Sequence, residues 1–220
     1  IEELSHILTY NLNNSLSQID YWDKVSYIRE QYREKTKYSI SGAEELISED
    51  RIKELINNII KKIDMGIEKI KELNEDKIPT FIYYDVVRFD INDKGNVKPL
   101  EFKANFLPLF LEGYARYLKT GLKEDEKKEI YKVIKNSDIY DKKLKMYKTS
   151  ESIEDVTFEI GRARSFTAGW LERESVFMHM EFKYILELIK EGLYEEFYSE
   201  IKNILPPFMK SDVYGRSILE

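Results

Sequence analysis

The sequence contains no cysteine, two histidines, five prolines and nine glycines in 220 residues. Without cysteine there can be no disulfides, thiolate zinc sites or thiol nucleophiles. Two histidines, His6 and His179, are too few for an imidazole-rich metal site, and no metal is expected. A surplus of basic charge is also missing. Lys plus Arg number 35 against 41 Asp plus Glu, a formal net charge of −6. Nucleic-acid surfaces need the opposite balance, so no nucleic-acid partner is expected. No stretch approaches the roughly 18 uninterrupted apolar residues of a membrane helix. There is no G-x-S-x-G, no Walker loop and no G-x-G-x-x-G. No secretory or transit pattern is seen, and the expectation is a cytoplasmic protein.

What is present suits a folded domain: 42% hydrophobic and 35% charged residues are enough to build a core and to solvate its exterior. Leu4, Ile7, Leu8 and Leu12 open the chain at helical spacing, and His6 on that helix is incidental. Trp22, Val25, Tyr27, Ile28 and Tyr32 predict a second helix ending near Thr36. Ser39 to Gly42 breaks the pattern. Ser48 then reads as an N-cap, with Glu49 and Asp50 in the first turn. Ile52, Leu55, Ile56, Ile59, Ile60, Ile63, Ile67, Ile70 and Leu73 follow at intervals dominated by three and four. They predict a long amphipathic helix with Lys and Glu on its other face.

The period then changes to two. Phe81, Tyr83, Val87, Phe89 and Ile91 mark one face of a strand, Asn92-Asp93-Lys94-Gly95 a turn, and Val97 to Phe102 a second strand. A β-hairpin over about residues 80–103 is expected. Helical signals resume from Leu107 to Lys119 and from Glu124 to Lys135. Tyr140 to Lys148 is Lys-rich and ambiguous. Val176 to Ile189 has apolar residues nearly all round and predicts a helix buried on most sides, ended by Gly192. Tyr194 to Leu205 is another helix, stopped by Pro206-Pro207. No repeat of fixed period and no internal domain boundary is evident. The fold class expected is mainly α, a packed bundle or toroid of helices with one hairpin insertion, forming a single segment over residues 1–220. Both ends read as continuing into further polypeptide.

Chemistry concentrates between Gly161 and His179, which brings together Arg162, Arg164, Trp170, Glu172, Glu174 and His179 just before the apolar helix. A helix N-terminus favours an anion such as phosphate. His179 could donate to that anion, Arg162 and Arg164 could add a planar fork, and Trp170 could stack on a sugar ring. Spacing alone favours a structural reading of the same residues, with Arg and Glu paired, Trp170 in the core and His179 a satisfied buried histidine. Glu172 and Glu174 are too close in sequence to flank a glycosidic bond as an acid–base pair. They read as substrate-binding or structural residues.

Several runs resemble one group of proteins: Tyr32–Gly42 (YREKTKYSISG), Val97–Lys103 (VKPLEFK), Leu107–Gly113 (LPLFLEG), Asp141–Tyr147 (DKKLKMY), Glu159–Phe166 (EIGRARSF) and Val213–Ser217 (VYGRS). They are similar to the cellobiose-phosphorylase-like glycoside phosphorylases, whose catalytic domain is an (α/α)6 barrel. The resemblance implies inverting phosphorolysis of a β-glucoside, a disaccharide or oligosaccharide, to a sugar 1-phosphate, with inorganic phosphate as substrate and no cofactor. Glu172 to His179 resembles a Glu-Asn-x-x-x-x-x-His-type segment whose His helps bind phosphate, with Arg173 standing where that segment carries Asn. The resemblance assigns phosphate binding to His179, Arg162 and Arg164, and substrate binding to Trp170, Glu172 and Glu174. It places the general-acid Asp in a Trp-Asn-Asp-like loop upstream of Ile1, and the loop completing the phosphate site after Glu220. On that reading no catalytic residue lies in this chain. It is an interior slice, inactive alone, whose partners are the rest of its own polypeptide, sugar and phosphate, with a homodimer a possible assembly. The alternatives are a hydrolase on the same toroid, using Glu172 or Glu174 with water, and a non-catalytic helical interaction module.

Overall fold

A computed structural model describes residues 5–9, 18–73 and 78–205, without the side chains of Gln18 and Ile19. Leu4, Leu12, Pro206-Pro207 and Val213–Ser217 lie outside the described residues. The chain divides into two compact units, residues 1–76 and 77–220, a division that the sequence pattern does not announce.

In the first unit residues 5–9 are helical, followed by α1 (Gln18–Thr36) and α2 (Glu49–Leu73). Ser48 caps α2 as its residue type predicts: its Oγ accepts from Arg51 N at 3.4 Å. The one residue that α2 buries does not belong to its isoleucine stripe, of which only Leu55, Ile67 and Ile70 are half-buried. Asn58 is 9% exposed, and its Nδ2 donates to Thr9 Oγ1 at 3.0 Å. Lys62 Nζ lies 4.5 Å from the Tyr21 ring centroid. Ile52, Ile56, Ile59, Ile60 and Ile63, at the spacing of one helix face, stay 43–52% exposed.

The second unit opens with an antiparallel hairpin of β1 (Ile82–Ile91) and β2 (Val97–Phe106). Its turn is closed by Asn92, whose Oδ1 accepts from Lys94 N at 3.0 Å and Asn96 N at 2.9 Å, and by Gly95 at φ 77°. The register shifts on either side of Arg88. One extra residue is absorbed in each strand, Val87 and then Leu100, which interrupts the simple alternation read from the sequence. The hairpin runs three residues beyond Lys103, where the sequence pattern stops. Both its faces are largely exposed.

The helix expected from Leu107 is shorter, α3 (Leu111–Tyr117). Pro108 disfavours helical geometry at Leu107, and Leu107 N instead donates to Phe81 O at 3.1 Å. Phe110 pairs with Ser150 in an isolated bridge, and its N–H donates to Thr80 Oγ1 at 3.0 Å. Gly113 permits this approach, since a Cβ there would lie 2.6 Å from Thr80 side-chain carbons. Next come α4 (Glu124–Asn136) and a small hairpin, β3 (Tyr140–Asp141) and β4 (Met146–Tyr147). The Lys-rich stretch is thus a turn. Asp141 Oδ1 accepts from Lys143 N and Leu144 N, both at 2.9 Å.

A long connection with one 3₁₀ turn (Phe158–Ile160) and α5 (Arg162–Ser165) leads to α6 (Met178–Lys190) and α7 (Tyr194–Glu200), which tightens into a 3₁₀ turn over Ile201–Ile204. The core joins Leu111 and Leu118, Ile134 and Ile139, and Ile185 and Leu188. The expectation that the apolar helix is buried on most sides is corrected here. Phe182 and Leu186 are 41% and 47% exposed, while Glu181 and Glu187 on the same helix are 0% and 3% exposed. Glu181, Tyr184, Ile185 and Leu188 share the inward face because they stand at i, i+3, i+4 and i+7.

Gly192 ends α6 as the sequence predicts. At φ 83° its N–H donates to Ile189 O at 3.3 Å, and Leu193 N donates to Leu188 O at 2.9 Å, the paired bonds of a Schellman cap. An added Cβ meets nothing within 4 Å, so its cost comes from the backbone conformation alone. Gly192→Ala should therefore lower stability by about 1–2 kcal/mol, read as a lower urea midpoint. An unchanged midpoint would show that the cap tolerates a side chain.

The structure is mainly helical, with antiparallel strand pairs as its only described sheets. No described helix is long and apolar enough to cross a membrane.

Candidate functional site

The connection between β4 and α6 is held by one buried side chain. Arg173 is 5% exposed. Its Nη1 donates to Arg164 O at 3.2 Å and Phe166 O at 2.9 Å, its Nη2 to the Glu154 carboxylate, and its Nε to Glu174 Oε1 at 3.5 Å. One planar guanidinium thereby ties together three parts of an irregular segment that no helix or strand could satisfy. The chain around it turns tightly. Arg173 N donates to Trp170 O at 3.1 Å and Gly169 N to Arg173 O at 2.8 Å. Leu171 and Glu174 are held at φ 49° and 54°, values that side-chain-bearing residues adopt only when their surroundings impose them.

The segment is also tied to the strand-like run that follows β4. Thr149 N donates to Ser175 O at 2.7 Å, Thr149 Oγ1 to Glu172 O at 3.1 Å, and Glu174 N to Ser150 Oγ at 3.2 Å. Ser175 Oγ donates to Leu171 O.

Within this frame the six sequence-derived candidates divide into two sets. Arg164 and Glu174 are occupied. Arg164 donates from Nε to Val156 O at 3.1 Å and from Nη2 to Glu154 O at 2.5 Å, and its guanidinium lies 4.5 Å from the Phe158 ring centroid. Glu174 Oε1 accepts from Ser152 Oγ at 3.3 Å and Ile153 N at 3.4 Å as well as from Arg173. The two arginines therefore do not form one fork: Arg164 turns to chain carbonyls, and Arg162 Nη2 donates to Glu172 Oε1 at 2.5 Å.

Of the other four candidates Arg162, Trp170 and His179 are exposed, and Glu172 is half-buried, its Oε2 buried without a hydrogen-bond partner. The Arg162 side chain is 79% exposed, and that of its partner Glu172 is 39% exposed. Trp170 is 58% exposed and meets Phe166 edge-on at 5.3 Å. His179 is exposed as the second residue of α6, with its ring edge-to-face against Phe177 at 4.4 Å. The helix begins two residues later than the pattern suggested, and its N-cap Phe177 makes no side-chain cap bond. Among the described residues no cluster of three or more His, Cys, Asp or Glu could hold a metal ion.

The sequence reading did not single out Arg173 as the anchor. The one available signal was its place between two carboxylates in a turn-rich segment, and the packing that makes it central is not local. Searched against known protein families and against curated proteins, the chain matches none.

Proposed function

We propose that this chain is a segment of a glycoside phosphorylase, a cytoplasmic enzyme of the (α/α)6-toroid type that cleaves a cellobiose-like β-glucoside by inverting phosphorolysis. The observation that carries the reading is the division of labour between Gly161 and His179. Arg173, Arg164 and Glu174 hold the backbone, while Trp170, Arg162 and His179 remain exposed on it and Glu172, half-buried, pairs with Arg162. An exposed indole suits the apolar face of a pyranose. A histidine in the first turn of a helix whose N-cap side chain gives no bond suits an oxyanion, and Arg162, though paired with Glu172 through Nη2, keeps an exposed guanidinium.

In the proposed reaction a carboxylic acid elsewhere in the polypeptide protonates the glycosidic oxygen. A phosphate oxygen attacks the anomeric carbon from the opposite face, the C–O bond to the leaving sugar breaks, and sugar 1-phosphate forms with inverted configuration. The part of this chain is to orient the sugar and hold the phosphate.

The polypeptide containing this chain, given cellobiose and inorganic phosphate, should release sugar 1-phosphate in proportion to phosphate. Release of free reducing sugar alone at saturating phosphate would reject the proposal in favour of a hydrolase. His179→Ala should raise the phosphate KM about tenfold or more, the worth of one charge-assisted hydrogen bond, while the disaccharide KM moves little. Equal changes in both would assign His179 a structural role instead.

A further inference from the structure

The second unit buries three glutamates, and they differ in what neutralises them. Glu187, 3% exposed, faces Lys119 Nζ at 3.3 Å and Lys190 Nζ at 3.6 Å. Glu200, 1% exposed, accepts from Lys135 Nζ and from Tyr131 OH, both at 2.6 Å. Glu181, 0% exposed, has one hydrogen bond, accepted by its Oε1 from Tyr147 N at 2.8 Å. No basic side chain among the described residues pairs with it.

The basic groups on the elements packed around it are engaged elsewhere. From β4 comes Tyr147 and from β3 Tyr140, over whose ring Lys135 Nζ sits at 3.6 Å from the centroid. From α7 come Glu200 and Glu196, and from α4 Tyr131 and Lys135, both already bonded to Glu200. From α3 come Tyr114, whose hydroxyl donates to Ile78 O, and Glu112 and Arg116, paired with each other. On α6 itself Tyr184 is 0% exposed, with its ring 5.0 Å from that of Tyr147. Glu181 Oε2, Glu200 Oε2 and Tyr184 OH are buried without a hydrogen-bond partner. The Tyr147 hydroxyl approaches that of Tyr131 without a well-formed bond. An ionised carboxylate in such a place has neither counter-ion nor solvent, and its nearest charged neighbour of its own kind is another carboxylate. A proton on Glu181 removes that charge.

We propose that Glu181 is held as a neutral carboxylic acid and makes the second unit alkali-sensitive: loss of its proton leaves α6, the helix that carries His179, with a buried charge that the single Tyr147 N–H bond alone must satisfy. Burial, and after it the Glu200 charge, push the Glu181 carboxyl up from the ordinary 4.5 to about 8, against the opposing effect of the Tyr147 N–H bond. The sign follows from linkage. An acid whose folded value is raised stays protonated in the folded chain where the unfolded chain has already ionised. Its contribution is complete below 4.5, and it is lost as pH rises towards 8.

The experiment is urea unfolding of the 220-residue chain at several pH values between 5 and 8.5 (about the window just derived), for the wild type and Glu181→Gln. Gln keeps the acceptor for Tyr147 N–H and cannot ionise. The wild-type folding constant should fall by up to about tenfold per pH unit through this window, and Glu181→Gln should remove that fall. Equal slopes in the two proteins would overturn the proposal. If the variant does not fold, carboxyl-carbon NMR of the wild type decides: a Glu181 midpoint near 8 supports it, and one in the ordinary carboxylate range overturns it.

Discussion

Arg173→Ala should cost about 2–6 kcal/mol, chiefly about 1–3 kcal/mol for each of the two carbonyls left without a donor. The side chain is 5% exposed and serves the carbonyls of Arg164 and Phe166 together with the Glu154 and Glu174 carboxylates. Alanine leaves those two carbonyls without their donor and removes the charge that brings the carboxylates together. Arg173→Lys should recover little, because an ammonium cannot span two carbonyls and a carboxylate in one plane. Urea unfolding supplies the measurement. A loss below about 1 kcal/mol, the scale of a surface pair, would mean that water replaces the guanidinium and that the loop is held by its bonds to Thr149 and Ser150. The same variant should loosen the exposed Trp170, which is readable as a shift in indole fluorescence under native conditions.

The second large effect is expected at Lys135. Its Nζ donates to Glu200 Oε1 at 2.6 Å and lies over the Tyr140 ring. Glu200 is 1% exposed, so Lys135→Met should cost about 3–5 kcal/mol by leaving a buried carboxylate with hydroxyl donors alone. Adding Glu200→Gln to that variant should return part of the loss, since the charge that needs the lysine is then gone. A double variant as unstable as the sum of the two singles would show that the pair is not coupled, and that Lys135 contributes through its stem and the ring contact instead. The burial that makes this pair costly to break also pushes the Tyr131 hydroxyl up to about 12, helped by its bond to Glu200.

Local signals were legible where the physics is local. Ser48 caps α2 because a short hydroxyl side chain reaches the amide three residues on. Asn92 and Gly95 close the first hairpin because one supplies an acceptor and the other a left-handed backbone. Gly192 ends α6 for the same backbone reason. The shift of period from 3.6 to 2 located β1 and β2. The helix expected from Leu107 shows where this reasoning stops. Pro108 and a bridge to Ser150, forty residues away, hold that segment extended, and only the proline was visible beforehand.

The candidate site was legible as a list of residues. Their partition into exposed and consumed groups was not. Arg162 and Arg164 are two apart and chemically identical, yet one meets Glu172 on the surface and the other is spent on the carbonyls of Glu154 and Val156. Spacing cannot express that difference, because it depends on where a separate stretch of chain passes.

The amino-acid sequence alone determined the helical class, the two-stranded insertion, the caps and turns, and the clustering of Arg, Trp, Glu and His ahead of one apolar helix. These follow from side-chain shape and from hydrogen bonds between residues a few positions apart. Tertiary structure alone decided that Ile52, Ile56, Ile59, Ile60 and Ile63 of α2 stay exposed, that Arg173 anchors the loop, and that Glu181 is enclosed without a cation. Each of these depends on which distant groups arrive at the same place, and there desolvation, more than propensity, sets the energy.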